Sequence, residues 1–488
     1  MRTLVWIGLV GCSGAPHKPP ADTGAPADTS APNPDETGEP ADSGDPDDSG
    51  DSGDSGDSGD SGDSADTADT AEPEPVSVVG LTLHREALHD DVGTWVRSLG
   101  DLDGDGFDEL ALTDNRLGSS DTIGLVPGTA SGTVFLADLS DRLVADGSVS
   151  RIGGLVSGAG DITGDGWDDL VVGFDDAVGF GVMVVAGPVS GTRTTSEGTR
   201  IHLDRIRGTF NDAAGGRDVT GDGLADLLLG DVSADDNAVY VLSGPLTGAR
   251  TVGPPGTFVQ DAPTVDQPVR FAGDVDGDGF EDVLVGRADF DYGGAALWLG
   301  PVSGVLSLVD HDLVLAITTP DAYAGGELLG PGDLDGDGRD DMLVSATSYD
   351  DKGRVAVIRG ETGFDGSVRL WRDVPDQLEG ILDHEHFGAA MAALGDVDAD
   401  GRADVAISSP DHRVGGLPDS RGVVYRVHGP ISGVQRMNSG IAEEVIASED
   451  GRPRAGHDLA SVRSPAGVGI LVGAPDHDVI AGWRYDLP

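Results

Sequence analysis

One ten-residue pattern, Asp101-Leu102-Asp103-Gly104-Asp105-Gly106-Phe107-Asp108-Glu109-Leu110, limits what this chain can fold into more than any other feature. Copies begin at Asp161, Asp218, Asp274, Asp333 and Asp396, spaced 56 to 63 residues apart. A steady period of that size marks one supersecondary unit repeated along the chain, each copy burying its apolar face against its neighbours.

Each copy sets acidic or hydroxyl side chains at loop positions one, three, five and nine. A tight loop turns alternate side chains toward its centre. Glycine at position six (Gly106, Gly166, Gly223, Gly279, Gly338, Gly401) gives the bend that lets the chain wrap an ion. Oxygens gathered on one point repel unless a hard cation lies between them. Calcium accepts six to eight oxygens in flexible geometry, whereas zinc and copper favour nitrogen and sulfur donors. One such loop alone reads equally as an Asp/Gly-rich turn; six at a steady period favour a metal.

An EF-hand also begins D-x-D-x-D-G, but it needs a bidentate glutamate at position twelve and a helix after it. Position twelve here is Leu112, Val172, Leu229, Val285, Val344 and Ile407. Short apolar runs bounded by glycine follow, such as Leu170-Val171-Val172-Gly173 and Val283-Leu284-Val285-Gly286, and these read as buried strands. The loop therefore feeds a strand.

The fourth copy, Asp274-Val275-Asp276-Gly277-Asp278-Gly279-Phe280-Glu281-Asp282-Val283-Leu284-Val285-Gly286, resembles the FG-GAP repeat of the integrin α-subunit β-propeller. His386-Phe387-Gly388 and Val472-Gly473-Ala474-Pro475 carry the flanking words of that repeat; elsewhere they are worn to Ile152-Gly153-Gly154 or Ser408-Ser409-Pro410. The resemblance covers roughly residues 76–488. It implies up to six structural Ca2+ ions, held by side chains at one, three, five and nine and a backbone carbonyl at seven. The implied ligands are Asp101, Asp103, Asp105, Phe107 and Glu109; Asp161, Thr163, Asp165, Trp167 and Asp169; Asp218, Thr220, Asp222, Leu224 and Asp226. The last three sets are Asp274, Asp276, Asp278, Phe280 and Asp282; Asp333, Asp335, Asp337, Arg339 and Asp341; Asp396, Asp398, Asp400, Arg402 and Asp404. Thr163 and Thr220 each remove a charge and should weaken their sites. Glu109, longer than Asp, should shift the first.

The expected fold is all-β: a seven-bladed β-propeller with calcium-binding loops, preceded by a disordered acidic linker. The second repeat predicts an inner strand near Ile152–Ser157, then Leu170–Gly173, Gly181–Ala186 and Arg200–Leu203. A turn, Gly187-Pro188-Val189-Ser190-Gly191, recurs at Gly244, Gly300 and Gly429 and reads as a turn only. A seventh repeat, from Gly456, lacks the loop and a fourth strand. Val78–His84 should supply that strand and seal the exposed edge.

Ahead of the propeller, Arg2 and the apolar run Leu4–Val10 lead into Leu9-Val10-Gly11-Cys12, which resembles the bacterial lipobox. This implies a signal peptide over 1–11, lipid on Cys12, and an exported lipoprotein of the outer membrane or cell surface. An ordinary secretion signal is the other reading. Cys12 is the single cysteine, so no disulfide forms within the chain. Residues 12–75, rich in Asp, Ser and Gly, cannot bury a core and read as a spacer.

A formal net charge of −57 disfavours nucleic acid and anionic lipid heads. No nucleophile elbow or phosphate-cradling loop is present. His384-Glu385-His386 reads as solvated surface. The expected function is binding of a protein or glycan by a monomeric, lipid-anchored, adhesion-type propeller, with no enzymatic activity. A carbohydrate-active or phospholipase-like enzyme would need a carboxylate pair outside the loops facing one central pocket. A passive surface component would show no pocket.

Overall fold

A computed structural model describes residues 80–84, 97–113, 122–203, 210–231, 238–252, 268–287, 293–306, 311–319, 322–413, 422–447, 455–473 and 480–487. The chain separates into Met1–Thr70 and Ala71–Pro488, and every described residue belongs to the second unit. The leader, Cys12 and the spacer at 12–75 lie outside the described residues.

The apolar runs after each loop form strands covered on both faces, which is why they lack polar alternation. In Leu170–Asp175, Leu170 and Val172 pack toward the first repeat, while Val171 packs toward the third. Each repeat builds a sheet around such a strand. The second sheet holds Arg151–Gly158, Leu170–Asp175, Phe180–Val185 and Thr199–Leu203, in that order from one edge, close to the sequence expectation.

Seven sheets result. Their inner strands are Arg97–Ser98, Arg151–Gly158, Phe210–Arg217, Val269–Gly273, Ala324–Gly332, Met391–Gly395 and Asp458–Ser464. Each lies beside the next, and the last lies beside the first, so the inner strands close a ring. The fold is an all-β, seven-bladed β-propeller with no α-helix among the described residues. Glycine permits the tight centre: a Cβ on Gly158 would meet the Leu99 carbonyl oxygen at 2.2 Å.

The seventh sheet draws on both ends of this unit. Leu81–His84 pairs antiparallel with Ile480–Asp486, opposing Leu81 to Arg484 and Leu83 to Gly482. Buried Leu81, Leu83, Val462 and Leu471 then pack with Leu110, Leu112 and Val126 of the first sheet.

Simple four-stranded blades were the expectation, and most sheets hold more. In repeat two the segment after the third strand, Thr192–Thr194, runs parallel to the outer strand of blade one, Arg142–Val144. Arg250–Val252, Ser367–Leu370 and Val434–Arg436 reach back to the preceding blade in the same way, and Gly132–Phe135 runs parallel to Leu81–His84. These straps cover outer edges that would otherwise expose unpaired N–H and C=O groups.

Of His384-Glu385-His386, expected to be solvated surface, His384 is exposed and His386 half-buried, but Glu385 is fully buried. Phe387 is fully buried among Val355, Val405, Ile407 and Tyr425, and its insertion draws Glu385 inside with it. The Glu385 carboxylate accepts the Ile381 N–H and meets His412 Nδ1 at 2.5 Å, while His386 Nδ1 lies 2.7 Å from Asp411 Oδ2. His412 is thus the partner of a buried acid.

Candidate metal centres

All six loops sit where an inner strand ends and the next strand begins, on one face of the ring. Each is held open by its own carboxylates. The Oδ atoms of Asp101 accept the Gly104 and Gly106 N–H groups at 2.7 and 2.9 Å. Asp274 does the same for Gly277 and Gly279 at 2.8 and 2.9 Å, and Asp333 for Gly336 and Gly338 at 2.6 and 2.8 Å. Asp161, Asp218 and Asp396 hold their loops in the same manner. The fifth-position Asp accepts the N–H of position seven throughout, as Asp278 does from Phe280 at 2.9 Å.

Position nine opens the following strand, and its carboxylate is buried. Asp282 Oδ2 accepts the Val275 N–H at 2.8 Å, and Oδ1 accepts the Gly300 N–H at 2.7 Å. Glu109, Asp226, Asp341 and Asp404 bridge equivalent groups; Asp169 takes the Thr163 and Gly187 N–H groups. Gly187, Gly244, Gly300 and Gly429 are the glycines of the recurrent Gly-Pro turns. Those turns brace the loops, a role the sequence reading did not give them. Their signal was a spacing of 18 residues behind position nine in three repeats.

Four loops bring three carboxylate oxygens within 4.8 Å of one another: Asp101, Asp103 and Glu109; Asp274, Asp276 and Asp282; Asp333, Asp335 and Asp341; Asp396, Asp398 and Asp400. Glu109 keeps its place despite its extra methylene. Asp105, Asp278 and Asp337 stand outside those trios. Loops two and three gather no such trio among the described residues. There Thr163 Oγ1 lies 3.3 Å from Asp169 Oδ1, and Thr220 Oγ1 lies 3.5 Å from Asp218 and Asp226 oxygens.

Crowded carboxylates carry an electrostatic cost of roughly 4 kcal/mol per pair of unit charges 4 Å apart at an effective dielectric of 20. Their proton affinities register it. Burial, then repulsion from Asp103, pushes Glu109 up to about 7. Burial, with Asp276 and Asp278 nearby, pushes Asp282 up to about 7 against two N–H bonds that oppose it. Asp169 and Asp341 rise to about 6, chiefly through burial. Asp103 and Asp276 are raised by burial first and by neighbouring aspartates after it. A divalent cation would relieve this strain, and an oxygen-only donor set suits a hard ion.

The loops differ in one respect invisible in their consensus. Among the described residues no Arg, Lys or His forms an ion pair with the trios of loops one and four. In loop five Arg359 Nη1 sits 2.8 Å from Asp335 Oδ2, and Arg339 Nη1 sits 3.0 Å from Asp337 Oδ2. In loop six Arg402 Nη1 lies 3.0 Å from Asp400 Oδ2. His428 Nδ1 lies 3.2 Å from Asp398 Oδ2 and 3.1 Å from Asp404 Oδ1. The arginines partly neutralise the acids that a metal would use, whereas His428 lies close enough to Asp398 and Asp404 to be a ligand itself.

Adjacent loops also lock together. The Asp101 N–H is taken by Asp168 Oδ2 of the next loop at 3.1 Å, and the Asp274 N–H by Asp340 Oδ2 at 3.0 Å. The position-seven side chain of one loop lies over the position-four glycine of the loop before: a Cβ on Gly104 would meet the Trp167 ring at 2.2 Å. Loop six has no following loop, and position four there is Ala399, held at φ 62°.

A family model described as FG-GAP-like repeat matches residues 274–344, the fourth loop through the strand after the fifth. Integrin alpha-V of Gallus gallus is 30% identical over 194 residues, covering 38% of this chain and 17% of that protein. Integrin alpha pat-2 of Caenorhabditis briggsae is 29% identical over 196 residues, covering 38% and 15%. Integrin alpha-PS2 of Drosophila melanogaster is 30% identical over 198 residues, covering 37% and 13%. The chain thus matches about a seventh of the length of these relatives. A solved structure described as the Dos1 propeller aligns over 84% of this chain and 95% of its own, at 11% identity and a TM-score of 0.37. The fold is a β-propeller, residues 274–344 match the FG-GAP-like repeat, and the chain is similar to integrin α subunits over about two fifths of its length.

Proposed function

We propose that this is a calcium-stiffened binding propeller, displayed outside the cell on a lipid anchor at Cys12, that recognises a protein or glycan through its loops. The observation that carries the reading is the oxygen-only convergence in loops one and four, where three carboxylates meet without a basic partner. The residues that would hold calcium are those at positions one, three and nine in loops one, four and five, and at positions one, three and five in loop six. The ion would supply positive charge that draws the loop onto the strand behind it. Ordered loops then present a fixed surface, which lowers the entropic cost of binding a partner. The integrin-α likeness supports an adhesion role for such a surface, and the pocket along the ring axis speaks against a passive stalk.

The full chain, immobilised and offered a panel of matrix proteins and polysaccharides, should retain at least one of them in calcium and release it with a chelator. Retention indifferent to chelator, or none at all, contradicts the reading. Radiolabelled palmitate should enter the wild-type chain in cells and not Cys12→Ser.

An enzyme remains the second reading, because Asp212, Glu327 and Asp458 do face one central pocket outside the loops. Asp212 and Asp458, however, each pair with an arginine, which favours the ionised form, so Glu327, pushed up to about 7 by burial, is the one of the three suited to act as a general acid. Cleavage of a polysaccharide or phospholipid that is lost in Glu327→Gln would establish it.

A further inference from the structure

The inner strands run toward the calcium face, so their opposite ends converge on the ring axis at the other face. A cavity of about 460 Å³ opens there, and all seven inner-strand segments contribute to its wall. That volume suits one small molecule. Glu327 and Asp212 each stand six residues ahead of the first Asp of their loops. At about 3.3 Å per strand residue this separates the cavity from the candidate metal centres by roughly 20 Å.

Its polar lining is specific. Arg97 pairs with Asp458, and Arg270 pairs with Asp212. Asp212 is further engaged by the Val269 N–H at 3.1 Å, and Arg270 also donates to the Val269 carbonyl at 2.8 Å. Glu327 lies 3.6 Å from the Arg270 guanidinium, beyond hydrogen-bond reach, with about a quarter of its side chain exposed. Among the described residues two guanidinium groups thus face three carboxylates, and Glu327 is the one that no arginine hydrogen-bonds. Beside them, His457 Nδ1 is buried and has no hydrogen-bond partner among the described residues. The confined surplus anion is the indication of a missing ligand, whereas the ring nitrogen is shielded from the cavity. Burial pushes Glu327 up to about 7 against the opposing pull of Arg270, so the carboxylate gains from a cation placed against it.

We propose that this cavity binds a small amine, an amino sugar or amino alcohol, with its ammonium group on Glu327. An anionic ligand is disfavoured because both guanidinium groups already hold carboxylates. A neutral sugar would leave the surplus charge unpaired. The site is independent of the loops, so this proposal stands or falls apart from the calcium reading.

The test is calorimetric titration of the full chain in excess calcium with glucosamine, ethanolamine, glucose and N-acetylglucosamine. At least one amine should saturate a single site per chain and bind at least tenfold tighter than either neutral sugar. Glu327→Gln should weaken that amine tenfold or more while keeping the wild-type melting midpoint. Should that variant fail to fold, Glu327→Asp retains the charge and should keep the preference for amine over neutral sugar. Lack of saturation by both amines up to about 10 mM, a range that still detects binding of a few kcal/mol, overturns the proposal. Equal binding of glucose and glucosamine, or an unchanged Glu327→Gln, overturns it as well.

Discussion

The two ends of the inner strands handle acidic side chains in opposite ways. At the loop end of blade four, Asp274, Asp276 and Asp282 converge with no basic partner, and burial holds Asp282 near 7. At the axial end, Asp212 and Asp458 lie against guanidinium groups contributed by neighbouring blades. Acid counts alone do not separate these cases; partners do. A carboxylate cluster supplied with arginine is complete within the protein, whereas one without it is relieved by protons or by a cation from outside. Loops five and six are intermediate, since Arg359 and His428 intrude on their acids.

The largest effect expected from this contrast is on melting. A site filled a hundredfold above its dissociation constant adds ~2.7 kcal/mol. Several loops filled together should raise the melting midpoint by more than about 10 °C over chelator. Salt at about 1 M should leave that shift largely intact once calcium is in excess, because it screens exposed charges far more than enclosed ones.

Arg270→Ala attacks the other end. It strands Asp212 and Glu327 together, and should cost about 3 kcal/mol in urea unfolding, with calcium affinity unchanged. A matching loss of calcium affinity would break the separation drawn between the two ends.

A smaller effect is expected where loops interlock. Gly104→Ala places a methyl against the Trp167 ring at φ +81°, a left-handed conformation that glycine favours, and should destabilise by about 1–2 kcal/mol. Ala399→Gly, with no following loop to contact, should be neutral or slightly stabilising by urea unfolding.

The smallest is a pH slope. Glu109 and Asp282, near 7, and Asp169 and Asp341, near 6, hold protons in the metal-free fold that the unfolded chain has released. Metal-free stability should therefore fall as pH rises from the ordinary carboxylate range through 7. With calcium bound the sign reverses, because acid protonates the ligands and expels the ion. Urea midpoints at pH 5.5 and 8, with and without calcium, check both signs.

Repetition made the fold legible: six loops, the apolar strands behind them and a loop-free last repeat pointed to a ring, and Leu81–His84 does pair with Ile480–Asp486. The strap strands were harder to read, because Thr192–Thr194 is short and polar and gains its strand geometry only by pairing with another blade. His384-Glu385-His386 misled for a related reason. Its polarity suggests solvent, and His384 is indeed exposed, yet Phe387 draws Glu385 inside, where His412 meets it. In the metal centres the acids were legible from the loop alone. Arg359 and His428 were not, since they enter from a neighbouring strand at the residue before a glycine. The axial cavity depends on side chains from seven separate repeats, and no local pattern carries it.

The most direct test of the central claim is equilibrium dialysis of the full chain against calcium, with bound metal counted by elemental analysis. The account predicts several calcium ions per chain and no more than six. Loops one and four should form the tightest class, so that Asp276→Asn removes one tight ion and Thr220→Ala removes none. A chain that binds no calcium at millimolar concentration would contradict it, leaving the propeller in place and the loops as turns held by their own hydrogen bonds.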